Sequence, residues 1–350
     1  MNQATFNFAP KGKRADIAGA GIASSAAKAT VREQRSANDA DPGDAIGFEY
    51  ARYGMVPPAP CLWPGHPIRE GWERGRRAMV RRTRPATLAV TRWLALRLAA
   101  WQRGDAFDDH QITPQVLRSL EVATHCPVTG RALQNDACVV PVDLRRGWVA
   151  GNLVLVSPQI AERWMTIDWE LAKDALARAE AEPETQVEGL PLRHWRRVVA
   201  LKSLATPLPH DEAGRLPLHV LPPNRIRLVN PIQELQAVLT LQLAVPGWGQ
   251  RARSLAESFP EALRTEFNLF FNSLLAQALR QGHGDMKPEM RDALAAAWGN
   301  EVVMRRWLRV TALVDAALAE TLVERLTREP MPGLYVVRHG EVEARQALAA

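Results

Sequence analysis

Residues 126–164 read CPVTGRALQNDACVVPVDLRRGWVAGNLVLVSPQIAERW, and no other stretch of the 350-residue chain constrains its fold as tightly. Cys126-Pro127-Val128-Thr129-Gly130 predicts a tight turn, because Pro fixes its own φ and Gly accepts the positive φ that a knuckle needs. Residues 137–142 form a short β-branched run, 145–152 is turn-like around Gly147 and Gly151, and 153–156 is a second apolar run. Ser157-Pro158 then supplies a cap followed by Pro at the first helical position, ahead of the helix formers of 159–178. The spacing predicts strand, loop, strand, helix: a ββα unit.

That order, with Cys-Pro-Val-Thr-Gly in front and Gly147-Trp148-Val149-Ala150-Gly151-Asn152-Leu153 in the loop and second strand, resembles the HNH (ββα-metal) nucleases. It is most similar to a subset that opens with Cys-Pro-x-Thr, carries Asp-Arg in place of Asp-His and continues Gly-Tyr-x-x-Gly-Asn. Cys126, Pro127, Thr129, Gly147, Gly151 and Asn152 carry the resemblance, over about forty residues. It implies a helix laid against a duplex minor groove, a base at the end of the first strand to activate water, and ligands for a divalent ion.

The match departs from the family at the reactive positions. Counted back from Gly147 without gaps, the catalytic pair becomes Val140-Pro141 and Asp143 takes the place of the trailing acid. If the loop is shortened instead, Asp143-Leu144 replaces the pair, which restores a candidate ligand but no base. The helix position for Asn or His falls on Ala161, and the Lys one turn later on Trp164. No catalytic residue, metal site or cofactor is expected; Asp143 is the one candidate for residual chemistry.

The charge of +6 and pI near 9.6 favour anionic partners, although 38 acidic residues are interspersed. Three cysteines are too few for a disulfide framework, and neither a secretory segment nor an apolar run long enough to span a bilayer is present, so a cytoplasmic protein without a membrane partner is expected. Residues 1–45 hold few large apolar side chains and read as a disordered arm. The prolines of 48–67 predict an extended surface segment. Residues 68–84 hold the densest positive run, including Arg74, Arg76, Arg77, Arg81 and Arg82, with Trp63 and Trp72 close by for stacking.

Pro85 predicts a helix burying Leu94, Leu98 and Trp101, and Thr113-Pro114 another burying Val116, Leu120 and Ala123. With the ββα unit these helices make a domain over 46–182. Residues 183–230 read as a Pro-rich linker, with Arg193, Arg196, Arg197 and Lys202 as a second basic patch around a helix that packs through Trp195. Residues 231–330 predict an antiparallel helical bundle. Its helices start at Pro231, Pro260 and Pro288, and a long last helix over 301–328 turns Val303, Trp307, Val310, Val314 and Ala317 to one side and Arg305, Arg306 and Arg309 to the other. Residues 331–350 form a tail. The expected class is mainly α, with a small ββα unit that makes it α+β.

Two smaller patterns carry less. Residues 334–341 resemble the strand and Arg-His-Gly turn that open the histidine phosphatases, but nine residues follow Glu341 and no second catalytic His is in evidence. His125, Cys126 and Cys138 lack the fourth ligand of a zinc site. The expected function is non-catalytic nucleic-acid binding through Arg74, Arg76, Arg77, Arg81, Arg82, Arg145, Arg146 and Trp148. One alternative is an adaptor that binds another protein through the bundle, and another is an active metal-dependent nuclease using Asp143.

Overall fold

The computed structural model describes residues 41–79, 83–244, 247–281 and 288–327, which fall into two compact units dividing between Arg103 and Gly104. Among the described residues there are 14 α-helices and one two-stranded antiparallel sheet, a mainly α protein with a ββα unit. The arm over 1–40, the tail and the 334–341 pattern lie outside the described residues.

The first unit is built on glycine. Helices α1 (Pro42–Arg52) and α2 (Pro67–Ala78) each carry glycines four apart, Gly43 and Gly47 on one and Gly71 and Gly75 on the other. A Cβ on Gly47 would sit 1.9 Å from the Ile68 carbonyl oxygen, and one on Gly71 1.9 Å from that of Asp44, so the backbones touch where side chains normally intervene. The arm therefore gives way to a helix from Pro42, capped by the Asp41 carboxylate on Gly43 N–H (2.7 Å). The expected extended surface segment is instead a helix to Arg52 followed by turns and one 3-10 turn at Ala59–Cys61, with Cys61 buried. α3 (Leu88–Arg103) buries Leu94 and Leu98 as expected, while Trp101 stays partly exposed and donates to Asp41 (3.2 Å).

In the second unit α4 (Pro114–Leu120) is capped by Thr113 and turns Leu117 and Leu120 inward; Val116 lies at the margin. Strands β1 (Cys138–Pro141) and β2 (Leu153–Val156) pair with Cys138 opposite Val156 and Pro141 opposite Leu153. The helical stretch that follows is two helices, α5 (Pro158–Trp164) and α6 (Trp169–Ala181), because the Asp168 carboxylate caps Leu171 N–H (2.9 Å) and starts a new turn. Ser157 stands at the N-cap of α5, but its hydroxyl makes no cap bond.

The 183–230 stretch is core rather than linker. It holds α7 (Leu192–Ala205), whose Trp195, Val198, Leu201 and Leu204 are buried, and α8 (His210–Arg215). Asn230 secures it: its amide donates to the Ser203 and Thr206 carbonyls and its oxygen accepts from Leu208 N–H, all within 3.0 Å. Prolines there shape turns between packed pieces, and their number misleads as a linker signal.

Helix α9 (Pro231–Leu241) is buried on every side. Around it stand α10 (Trp248–Ser258), which the spacing does not predict, α11 (Arg264–Gln281), α12 (Pro288–Ala297), α13 (Glu301–Thr311) and α14 (Ala316–Leu326). On α11 Phe267, Phe270, Phe271 and Leu274 are buried at helical spacing, and Phe270 packs against Trp298 and Trp307 at 5.5 and 5.0 Å. The expected long last helix breaks at 312–315, where the Asp315 carboxylate caps Leu318 N–H (2.8 Å), and Ala317 is exposed. The strands, α5, α7 and these helices share one hydrophobic core.

Candidate functional site at the end of the first strand

Beyond Pro141 the ladder continues by one bond, Val142 N–H to the Asn152 carbonyl (2.7 Å), and the chain then loops through 143–151. Asn152 is fully buried, and its side chain closes that loop. Its oxygen accepts from Asp143 N–H (2.9 Å), and its NH2 donates to the carbonyls of Asp143 and Gly147 (both 2.8 Å). Gly147 and Gly151 hold positive φ of 64° and 82°, which the turn requires. A Cβ on Gly151 would also lie 2.8 Å from Arg227 Cβ, because Arg227 N–H donates to the Gly151 carbonyl (2.7 Å). Three of the motif residues that carry the sequence resemblance thus have a physical reason to be what they are.

The space beside the strand end is filled from α7. Lys202 is 1% exposed; its ammonium donates to the Val142 carbonyl (3.3 Å) and lies 4.2 Å from the centre of the Trp164 ring. Trp164 in turn donates its indole N–H to the Pro141 carbonyl (2.7 Å). Burial pulls the Lys202 pKa down to about 8, against the opposing pull of Asp143 and Asp168. Arg146 turns inward to the Ala205 carbonyl (3.4 Å), and burial lowers its pKa, with Asp143 opposing. Asp143 is buried, accepting from Arg145 N–H (2.9 Å) and Nε (3.5 Å). Val140 and Pro141 are buried, and Ala161 is partly buried against the same core.

Of the residues expected to touch nucleic acid, Arg145 projects outward, its side chain 69% exposed. Arg146 is half-buried. Trp148 is a correction: it is 4% exposed, stacks on Phe107 (6.4 Å) and donates to Asp105 (3.2 Å), because the loop pairs with the chain at 107–108 and is drawn into the core. In the first unit Arg74, Arg76 and Arg77 are exposed on α2. Arg74 pairs with Asp44 and lies over Phe48, Arg76 lies 4.8 Å from the Trp72 ring, and Arg77 is 3.7 Å from Glu73. Arg81 and Arg82 lie outside the described residues. Cys126 and Gly130 form the expected knuckle, with Gly130 N–H on the Cys126 carbonyl and Cys126 N–H on the Arg131 carbonyl (both 2.8 Å).

Lys202 is a second correction, since it belongs to the core and not to a solvated basic patch. The signal for this is in the sequence: Trp195, Val198, Val199 and Lys202 fall at i, i+3, i+4 and i+7, so the lysine continues the apolar face. Among the described residues no three His, Cys, Asp or Glu side chains gather into a group that could hold a metal ion, and His125, Cys126 and Cys138 do not form one. No described helix is long and apolar enough to cross a membrane. No protein-family model, curated protein or solved structure matches the chain.

Proposed function

We propose that the protein is a non-catalytic, cytoplasmic nucleic-acid-binding protein built on a degenerate HNH-like module. The observation that carries this reading is the strand end itself. Where an HNH enzyme opens a space for water and a divalent ion, a lysine ammonium, an indole and two backbone carbonyls close on one another, and Arg145 stands outside on a loop that Asn152 holds rigid. An exposed guanidinium on a rigid loop suits a phosphate contact; so do Arg76 and Arg77 on α2 beside Trp72.

The test is binding of a 20-base-pair duplex by fluorescence anisotropy at rising salt. The expected result is an affinity that falls steeply with salt and weakens in Arg145→Ala. Absence of binding at 50 mM salt would sink the reading. Magnesium- or manganese-dependent nicking that is lost in Asp143→Ala would replace it with an active nuclease.

An adaptor reading is favoured by one feature, the outer face of α13. Val302 and Leu308 are 41% and 40% exposed there beside Arg305 and Arg309, and Leu313, just past the helix end, is 54% exposed, which has the composition of a protein contact. A stable complex or oligomer by light scattering, indifferent to Arg76→Ala with Arg77→Ala, would support it.

A further inference from the structure

We propose that the surface where the first turns of α7 meet the 126–131 knuckle, formed by Arg131, Arg193 and Arg197 around His194, binds a phosphate of a nucleic-acid backbone. The inference rests on the nucleic-acid reading and adds a second contact to it, on a different element from Arg145.

Three guanidinium groups from two separate elements lie close enough to His194 that each depresses its pKa, adding to the effect of burial. The Nδ1 atom of that imidazole is shielded from solvent and has no hydrogen-bond partner. Arg197 lies directly on the knuckle. A Cβ on Gly130 would stand 3.0 Å from its Nη1, so glycine is what lets the guanidinium approach. Asp292 of α12, 3.1 Å from Arg197, is the carboxylate beside it, while Arg196 on the same helix is turned aside to Glu180 (3.3 Å). Arg131 and Arg193 are exposed and have no carboxylate partner among the described residues.

The placement also runs against local helix chemistry. The start of a helix carries partial positive charge and favours acidic side chains, yet α7 has no acid in its first turn and opens Leu-Arg-His-Trp-Arg-Arg. Positive groups crowded on a positive helix end repel one another, and an anion relieves both conflicts at once. A phosphodiester fits better than a carboxylate-bearing peptide, since guanidinium pairs with phosphate in a two-pronged geometry and no large apolar side chain among these residues would seat a peptide.

The test uses the full chain, a 20-base-pair duplex and the double variant Arg131→Ala with Arg193→Ala, both exposed and unpaired positions. Anisotropy titrations from 50 to 300 mM salt should show binding weakened on the order of tenfold at low salt, and a salt slope shallower by about 2, one for each phosphate left without its arginine. By NMR titration the His194 pKa should rise when duplex binds to the wild-type chain and stay where it is when duplex is added to the double variant. If the double variant binds as tightly as wild type, with the same slope, while Arg145→Ala is weakened, this site is refuted and the nucleic-acid reading stands. If wild type does not bind duplex at 50 mM salt, both fall. If inorganic phosphate alone moves His194 as far as duplex does and duplex does not displace it, the site serves a free anion and the proposal is overturned.

Discussion

Replacing Lys202 with methionine tests the most unusual feature of the site, a cation held in the core at the end of β1. The two side chains have similar length and flexibility, so the variant removes the charge and leaves the volume nearly filled. Burial lowers the lysine pKa from 10.5 to about 8. Below about pH 8 the ammonium is charged in both folded and unfolded chains, and the cost of burying it is fully present. Between about 8 and 10.5 the unfolded chain binds a proton that the folded chain does not, so unfolding free energy rises with pH. At ~1.4 kcal/mol for each pH step, the wild type gains about 3 kcal/mol across that interval, an order-of-magnitude figure. The variant lacks the group, so the difference between the two isolates the lysine from every other titration in the protein. Urea unfolding followed by tryptophan fluorescence at pH 7, 8, 9 and 10 gives the difference curve. Lys202→Met should be at least as stable as wild type at pH 7 and lose ground steadily above pH 8. A difference that does not change with pH would show that Lys202 titrates like a solvated lysine, and the description of a sealed strand end would be refuted.

The remaining predictions concern the loop, the glycines and the bundle. Asn152→Ala takes the partner from a buried N–H, a buried carbonyl and the part-buried Gly147 carbonyl and should cost about 3 kcal/mol in chemical denaturation, with faster hydrogen exchange through 143–151. Gly71→Ala should disrupt the first unit, since its methyl would overlap the Asp44 carbonyl, whereas Gly249→Ala on α10 meets nothing within 4 Å and should stabilise by about 0.5 kcal/mol; melting curves of the two variants should move in opposite directions. Glu234 is buried on α9, and burial, with Glu320 adding, pushes its pKa up to about 7 from 4.5, so the folded state loses stability as pH rises through that window. Glu234→Gln should therefore gain up to about 3 kcal/mol over wild type at pH 8 relative to pH 4.5, read from urea midpoints.

The ββα unit is legible because its signals are local: a Pro-Gly knuckle, two β-branched runs and a Ser-Pro helix start fix each piece within a few residues. So is the α11 stripe, where Phe267, Phe270, Phe271 and Leu274 repeat at helical spacing. What sequence reasoning misplaces depends on partners far along the chain. Trp148 looks like an exposed nucleic-acid contact because nothing nearby in sequence reveals that 107–108 pairs with the loop. The 183–230 stretch looks like a linker because its prolines are visible, whereas the Asn230 amide that ties Ser203, Thr206 and Leu208 together is not. The paired glycines of α1 and α2 are a readable signal, four apart in both helices, that charge density in the same stretch obscures. The breaks at Asp168 and Asp315 are also readable, since each is a capping residue followed by a fresh helical run.

Helix α7 shows how the two ends of one element report different constraints. At its C-terminal end Lys202 and the carbonyl of Ala205, which accepts from Arg146, bring cations to the negative end of the helix, an arrangement that helix electrostatics favours. At its N-terminal end Arg193 and His194 in the first turn do the opposite, with Arg196 and Arg197 following, although an acid at the exposed position of Arg193 would suit the helix end better. A chain whose local choices otherwise agree with its fold retains such a conflict where something besides folding depends on it. Arg193→Glu makes the distinction measurable. It should raise stability by about 0.5 kcal/mol, because it complements the helix end and relieves repulsion, while it weakens duplex binding more than Arg193→Ala does. If the charge reversal left binding unchanged, the basic turn would be an accident of composition, and if it destabilised the fold instead, the arginine would be holding structure; either result would remove the argument that this end of α7 is kept for a ligand.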